Sequence, residues 1–524
     1  MNSLDHKSRP AAPPGSFREL LVVALPLIAS SGSLSLMHVV DRILLARFNV
    51  DALAASTPAG LLHWMLMSFP FGFCMYAITF VSQYDGAGRK DRVAASVWQA
   101  LFVAVASGVL LAVMIPLTSQ IPEHLGHSDT VVQLEQQYFS VLSFGSIPML
   151  VSAVLSAYYS GRGHTKVVLF ANVLASLCNL AGDAVLIFGW GPFPMLGIAG
   201  AAWGTVLANI VAVLFYIGWL CWSGDSVGYP FKEQFRFDAK LLKRMLYYGF
   251  PNGTQYLVDV AAYFTLLAVI GRIGTIELAS TAMAFNLNSL AFIPLFGIGT
   301  AVSTLVGRRV GEGVPILARR TTWIAFATGA VYMMLWNVVY LFLPETIISL
   351  YDRGAEAGST AAAASVSFAE IREVTTILLR FVVVYSLFDA MLVIFGSAIR
   401  GAGDTRFSLL FTTIGLWGLM VLPVWWGSYH GWGVYACWIA LCVQVGVLGV
   451  GFLIRFSRGA WMSMRVIEHA EEGAEVPALL ELPMAATALS AVGAVHGTED
   501  QNVQTVVLDE PMTTVGSPDE PQSK

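Results

Sequence analysis

Charge is scarce in this chain. Only 12% of its 524 residues are Asp, Glu, Lys or Arg, against about 25% in a soluble domain. Hydrophobic residues make up 56% and mean hydropathy is +0.68. A water-soluble body of that composition would lack a polar skin, which excludes an ordinary cytosolic enzyme. Disorder is excluded for most of the chain, because Phe, Trp and Tyr supply 12% of it. Cysteine is sparse as well. Cys74, Cys178, Cys221, Cys437 and Cys442 lie in or at the ends of apolar segments, are odd in number and have no CxxC spacing. They read as small buried apolar residues, not as disulfides or metal ligands. HExxH, GxSxG and the Walker lysine pattern are missing, so hydrolysis and direct ATP use have no motif to rest on. A secretory leader is not expected: residues 1–16 are polar and Pro-rich, and the first apolar stretch is too long for a leader's core.

The small net charge of −5 conceals a division. From Val466 onward there are 11 acids and one base, Lys524. The remainder holds 23 acids and 28 bases, a mildly basic body with an acidic tail. Nothing in this balance points to a nucleic-acid partner.

What the sequence has in abundance is long apolar runs. About 20 apolar residues cross a bilayer as a helix. Twelve candidate spans lie near 19–46, 54–82, 94–117, 132–160, 167–189, 197–221, 245–273, 278–306, 320–343, 371–399, 407–427 and 433–455. With the N-terminus placed in the cytoplasm, the inside segments hold 23 of the 29 Lys and Arg residues and the outside segments 6. A bias of that size supports twelve spans with both termini inside.

The spans repeat. Pro26 in VALPLIAS recurs 225 residues on as Pro251 in YGFPNGTQ, and Gly86-Ala87-Gly88 recurs at the same distance as Gly311-Glu312-Gly313. GRGHTK, from Gly161, recurs as GAGDTR, from Gly401, after 240 residues, and the extra 15 fit an insertion before span ten. The fold class expected is an all-α integral membrane protein of twelve transmembrane helices, in two six-helix halves related by a pseudo-twofold axis along the membrane normal. Six is even, so both halves keep one orientation, as in transporters built from parallel repeats. The domains expected are an N-terminal tail at 1–16, an amino-terminal half at 17–222, a charged cytoplasmic linker at 223–244, a carboxy-terminal half at 245–457, and an acidic disordered cytoplasmic tail at 458–524.

An ionisable residue inside a span is costly and is a functional candidate by default. Asp41 (span one), Asp183 (span five), Asp259 (span seven) and Asp389 (span ten) stand out, and no lysine lies in a span interior. Such a carboxyl can carry a proton across, or join other oxygens around a dehydrated Na⁺. Polar neighbours follow helical spacing. Asn172, Asn179 and Asp183 form one stripe of span five; Thr205 and Asn209 are four apart on span six; His38 and Asp41 are three apart on span one; Gln255 and Tyr256 precede Asp259 on span seven. Asn172, Asn209, Gln255, Tyr256 and Asn286 are the candidates to contact substrate. The competing reading is that Asn, Thr and Gln hydrogen-bond across helices as glue. For His38 it is that of a satisfied interior histidine, not a proton carrier.

The two-half layout, with an aspartate in span one, NLAGD in span five, FPNGTQYLVD in span seven and SLFDAMLVIFGSAIRGAGDTR through span ten, resembles the multidrug and toxic compound extrusion (MATE) family over roughly residues 17–457. The resemblance implies an amino-half proton or cation site, Na⁺ included, at Asp41, Asn179, Asp183 and Thr205. The acid eight residues after the span-seven proline, usually Glu in the NorM-like branch, is Asp259 after Pro251, and the span-ten aspartate is Asp389. The His-Gln pair of that branch is missing from span eight, where Ser280-Thr281 stands in ELASTAMAF. Features of the NorM-like and DinF-like branches are mixed, so coupling to H⁺ or Na⁺ stays open. The function implied is secondary efflux of cationic or amphipathic small molecules from a bacterial inner membrane. No cofactor is implied beyond the coupling ion, and the partners are substrate and bilayer, with the chain acting as a monomer. The alternative is a flippase for lipid-linked sugars of the same superfamily, whose phosphates call for basic cavity residues. An intramembrane protease is set aside: the GxGD at Gly401 to Asp404 sits between Arg400 and Arg406 at a membrane edge.

Overall fold

The computed structural model describes residues 12–468 except 125–126, 225–227 and 356–360. Regular structure among the described residues is helical throughout. This follows from lipid as a solvent, which cannot satisfy a free N–H or C=O, so each crossing segment closes its own hydrogen bonds. Among the described residues eleven helices are long and apolar enough to span, and a bent pair makes the twelfth. In chain order they are α1 (Phe17–Phe48), α2 (Val50–Gly86), α3 (Lys90–Val113), the bent α4 (Asp129–Phe144 with Ser146–Gly161), α5 (Thr165–Phe188), α6 (Ile198–Trp222), α7 (Ala239–Ile273), α8 (Thr275–Gly311), α9 (Pro315–Phe342), α10 (Phe368–Ala402), α11 (Thr405–Tyr429) and α12 (Val434–Ser457). They match the twelve expected spans.

Local chemistry sets their ends and breaks. Ser16 caps α1, its Oγ accepting from the Glu19 N–H at 3.2 Å, while a Glu19 carboxyl oxygen accepts from the Gly15 N–H at 2.6 Å. The first bond satisfies a donor that the opening turn leaves free, and the second ties the preceding residue to that turn. Asp238 caps α7 by accepting from the Leu241 N–H at 3.0 Å, so this span starts six residues before the expected 245. Prolines 26, 70, 251 and 294 lie inside spans, where neighbouring helices absorb the lost hydrogen bond. α4 bends by 45° at Gly145. A Cβ there would overlap the Val206 side chain, so the glycine lets the bent span lie close on α6. A π-helical stretch, Ile414–Val421, widens α11; apolar periodicity gives no sign of it.

The two halves meet through main chain, and the contacts obey the 225-residue repeat. α1 packs on α8 and α2 on α7. A Cβ on Gly72 would stand 3.0 Å from the Gly253 Cα, and one on Gly297 3.0 Å from the Ile28 N. Those two pairs are each other's image in the repeat. At the arginine-rich face, a Cβ on Gly86 would overlap the Arg308 carbonyl, and one on Gly311 would overlap the Gln83 carbonyl; Gln83 and Arg308 are again 225 apart. This explains the G-x-G motifs at the ends of α2, α4, α8 and α10. The first glycine of each admits a neighbouring backbone. The second, at 88, 163, 313 and 403, has φ between 71° and 117°, the left-handed region that glycine enters without a Cβ penalty.

The segments outside the spans are more fixed than their composition suggests. In the linker, Tyr229 donates to Asp85 Oδ1 at 2.5 Å, Trp98 Nε1 donates to the Phe231 carbonyl at 2.8 Å, and Arg92 pairs with Asp238 at 2.9 Å. The linker is thus tied to the amino-terminal half. Asp404, the acid of the GxGD sequence, accepts from Arg455 Nε at 2.8 Å and serves as an ion-pair partner. The expected tail at 458–524 needs a new boundary. Trp461, Val466 and Ile467 are buried, and residues through Glu468 are bonded to the body. Residues 1–11 and 469–524 lie outside the described residues.

The glycine contacts make a stability prediction. Gly311→Ala forces a methyl against main chain that cannot swing aside, and should destabilise the protein by about 1–3 kcal/mol. Gly218→Ala, where nothing stands within 4 Å, should stay within about 0.5 kcal/mol of the parent. Melting of the detergent-solubilised variants checks both; equal melting temperatures would remove the glycine argument.

Candidate functional site

Three helices of the amino-terminal half bring their polar residues to one place. α1 supplies Ser30, His38 and Asp41, α5 supplies Asn172, Asn179 and Asp183, and α6 supplies Thr205 and Asn209. Asp41 is 7% exposed, and Asn179 and Asp183 are fully buried. Small residues allow the approach. The position a Gly182 Cβ would take is 3.3 Å from the Gly204 Cα, and a Cβ on Gly204 would overlap Asp183 Oδ1. Gly204 therefore makes the room that Asp183 occupies.

Asn179 is the hub of the group. With its nitrogen towards α1, the amide donates to Asp41 Oδ1 at 2.7 Å and its oxygen accepts from the Thr205 backbone N–H at 3.3 Å. The amide position facing α6 lies 3.4 Å from Asp183 Oδ1 and 3.5 Å from Thr205 Oγ1. In that orientation an amide oxygen, a carboxyl oxygen and a hydroxyl oxygen face one another. The Thr205 hydroxyl already donates to the Ala201 carbonyl at 3.3 Å. Asp183 Oδ2 is buried without a hydrogen-bond partner. An array of acceptors closed off from water calls for a positive charge among them, whether a proton or a metal cation.

The group borders open space. A cavity of about 360 Å³ is lined by His38, Asp41, Arg42, His63, Trp64, Tyr138, Thr205 and Asn209 among others. A second, of about 320 Å³, shares His38, Trp64, Met149, Thr205 and Asn209 with it, and adds Ser30, Met37, Phe71, Met75, Asn172 and, from α8, Phe296 and Thr300. Through these shared walls the two make one chamber, with Asp41 and Arg42 at one end and Met37, Phe71 and Met75 at the other. Asn172 donates to Ser30 Oγ at 2.5 Å, and Asn209 to the Thr205 carbonyl at 2.9 Å.

The carboxy-terminal candidates are dispersed. Gln255 is spent between helices: its oxygen accepts from Ser408 at 2.9 Å and its nitrogen lies 3.4 Å from Thr412 Oγ1, both on α11. Asn286 is exposed and donates to the Ala282 carbonyl one turn back. Asp259 has a buried Oδ1 without a partner, and Asp389 is 7% exposed. Neither is among the residues lining the chamber. Tyr256 lines a separate cavity of about 70 Å³ between the halves, with Tyr76, Asn252, Ser397 and Arg400. Residue type and spacing gave no pointer to His63, Trp64 or Tyr138, which sit in apolar runs as ordinary core residues would. Arg42, near the end of span one, and Arg400, at the edge of span ten, each line a cavity.

Comparison with known proteins fits this geometry. The family model described as MatE matches twice, at residues 26–185 and 251–426, an offset that reproduces the internal repeat. A probable multidrug resistance protein NorM of Bradyrhizobium diazoefficiens is 27% identical over 448 residues, covering 84% of this chain and 93% of the relative. A multidrug resistance protein NorM of Burkholderia vietnamiensis is 26% identical over 454 residues, covering 85% and 95%. Among solved structures, the outward-facing conformation of a multidrug resistance MATE family transporter of the MOP superfamily superposes with a TM-score of 0.76 at 21% identity, covering 85% of this chain and 96% of that one. A MOP superfamily transporter from Pyrococcus furiosus gives 0.74 at 20% identity, covering 84% and 95%. Matched in both halves by one family model, the chain belongs to the MatE family and is a multi-pass membrane transporter, not an enzyme.

Proposed function

We propose that this transporter is a secondary active exporter of cationic or amphipathic small molecules, driven by inward movement of H⁺ or Na⁺ across a bacterial inner membrane. The observation that carries the reading is the oxygen group of Asp41, Asn179, Asp183 and Thr205 at the end of an amphipathic chamber. The NorM relatives are named as multidrug resistance proteins, which agrees with it. The positive-inside bias puts both termini and the arginine-rich face in the cytoplasm.

The chemistry is charge exchange. Among its lining residues the chamber carries the Asp41 carboxyl, with one arginine, Arg42, beside it. An anion in a low-dielectric site attracts an organic cation far more strongly than it would in water. Trp64 and Phe71 add cation–π and apolar contact, and Met37, Met75 and Met149 adapt to irregular shapes. A coupling ion entering the oxygen group neutralises it and rearranges the Asn179 amide, which weakens the hold on the substrate. Asp259 and Asp389 act in the carboxy-terminal half as further carboxyls that an inward-moving ion or a cationic substrate meets. In the state described, main chain of α2 and α8 closes the arginine-rich face. Export then requires the halves to rock, with the chamber opening to each side in turn.

Proteoliposomes test the function directly. Ethidium movement is followed with a Na⁺ gradient or a pH gradient imposed separately. One of the two should drive it; movement under neither would overturn the proposal. In the same assay Asp41→Asn and Asp183→Asn should each lower driven export by at least about tenfold, with normal amounts of folded protein, because an amide keeps the shape but cannot take up and release a charge. Gly204→Ala should follow them, since the added methyl displaces Asp183. Export by Gly204→Ala at the parental rate would mean that the position of Asp183 does not matter.

A further inference from the structure

The chain does not leave the body at the end of α12. It turns through Ala460–Ser463, where Trp461 is buried and stacked on Phe456 with ring centres 5.0 Å apart. Trp461 Nε1 donates to the Phe456 carbonyl at 2.9 Å. Residues Arg465–Glu468 then cross the seam between the halves. On the carboxy-terminal side, Tyr248 donates to the Arg465 carbonyl at 3.4 Å. Val466 is fully buried and fills the space a Cβ on Gly403 would need.

On the amino-terminal side the contacts are polar. The Val466 N–H donates to Gln83 Oε1 at 2.9 Å. The other end of the same amide donates to the carbonyls of Gly401 at 3.0 Å and Ala402 at 3.3 Å, so Gln83 holds the crossing segment and the opposite half together. The Glu468 carboxylate accepts from Tyr84 at 2.7 Å, Arg92 at 2.7 Å and Arg89 at 3.3 Å. Arg244, at the start of α7 in the other half, lies 4.0 Å from the same carboxylate. Charge-assisted bonds in a partly buried site are the strong ones. Opening this face would require a segment covalently fixed to α12 to release Gln83, Tyr84, Arg89 and Arg92 at once.

We infer that Tyr84, Arg89, Arg92 and Arg244 form a carboxylate-binding site across the cytoplasmic seam, that its ligand is the chain's own Glu468, and that filling it latches the cytoplasmic side shut. The inference rests on the orientation and rocking motion proposed above. The latch is no pH sensor. Burial alone raises the Glu468 carboxyl, but the bonds from Tyr84 and Arg92 outweigh that and hold it at about 2. A depressed carboxyl contributes its stabilisation above its ordinary value, near 4.5, and loses it only as pH falls towards 2. The contact therefore persists across the range of living cytoplasm.

The test uses the full chain in lipid nanodiscs with the five native cysteines replaced. Spin labels go on Lys166 and Arg406, exposed residues in the first turns of α5 and α11 in the two halves, and their distance distribution is measured by double electron–electron resonance. Glu468→Gln should raise the ratio of wide to narrow distances by about tenfold, the equivalent of about 1.4 kcal/mol. Tyr84→Phe removes one hydroxyl from the same carboxylate and should shift the ratio in the same direction by less. Glu468→Asp should lie between Gln and the parent. If the distances respond to ethidium or to ions but Glu468→Gln and Tyr84→Phe both match the parent, the latch is overturned and the rocking motion stands. If the distances are fixed under every condition in a preparation that transports, the rocking motion itself is overturned, and the latch with it.

Discussion

A carboxyl group inside a lipid-embedded helix bundle has few ways to exist. It can hold a proton, face a base, or share a cation with other oxygens. In the amino-terminal half His38 and Arg42 stand on the Asp41 side of the group, while Asn179 commits its nitrogen to Asp41 and turns its oxygen towards Asp183, whose Oδ2 has no hydrogen-bond partner. For Asp183 the remaining options are a proton or a cation, and both are mobile. Much of the nearby architecture serves this constraint. Gly204 is small so that Asp183 can reach α6, α4 bends at Gly145 so that it can close on that same helix, and the chamber opens beside the Asp41 carboxyl.

The halves share a fold but not a use. The amino-terminal half holds its polar residues on three neighbouring helices around one open space. In the carboxy-terminal half, Gln255 is bound to Ser408 and Thr412, and Asp259 and Asp389 stand apart from the chamber. A duplicated scaffold can diverge this way because the fold depends on apolar length and glycine placement, whereas chemistry depends on a few polar side chains. The connecting segments diverged too. The linker is fastened to the amino-terminal half through Tyr229 and Phe231, and the last described residues are fastened across both halves.

Much of this was legible in the sequence because membrane proteins obey strong one-dimensional rules. Span number follows from apolar length, and the repeat from prolines and G-x-G motifs at constant spacing. Asp41 and Asp183 stood out as carboxyls in lipid-crossing helices, whereas their grouping with Asn179 and Thr205 came from the family resemblance. What was not legible depends on contacts between distant segments. Gln255 has the composition of a site residue, and only the position of α11 reveals that its amide is used. Val466 to Glu468 read as the start of an acidic tail, since nothing local says that Arg89 before α3, Arg92 on α3 and Arg244 on α7 await that carboxylate. Arg400 was placed at a membrane edge by counting residues, but it lines a cavity between the halves.

The glycine seam between α2 and α8 has a thermodynamic consequence. Contact there is largely main chain against main chain, so bringing the two surfaces together freezes few side-chain rotamers at the point of touch. Closure pays little entropy at the seam and recovers little when it parts. Such an interface is shallow on both sides, in contrast to one built from interdigitated leucines. Moving a two-state equilibrium from 1:99 to 99:1 takes about 5.5 kcal/mol, within reach of one buried charge being neutralised. Smooth glycine surfaces at this seam would leave the balance between its open and closed states to the few polar groups that bridge it.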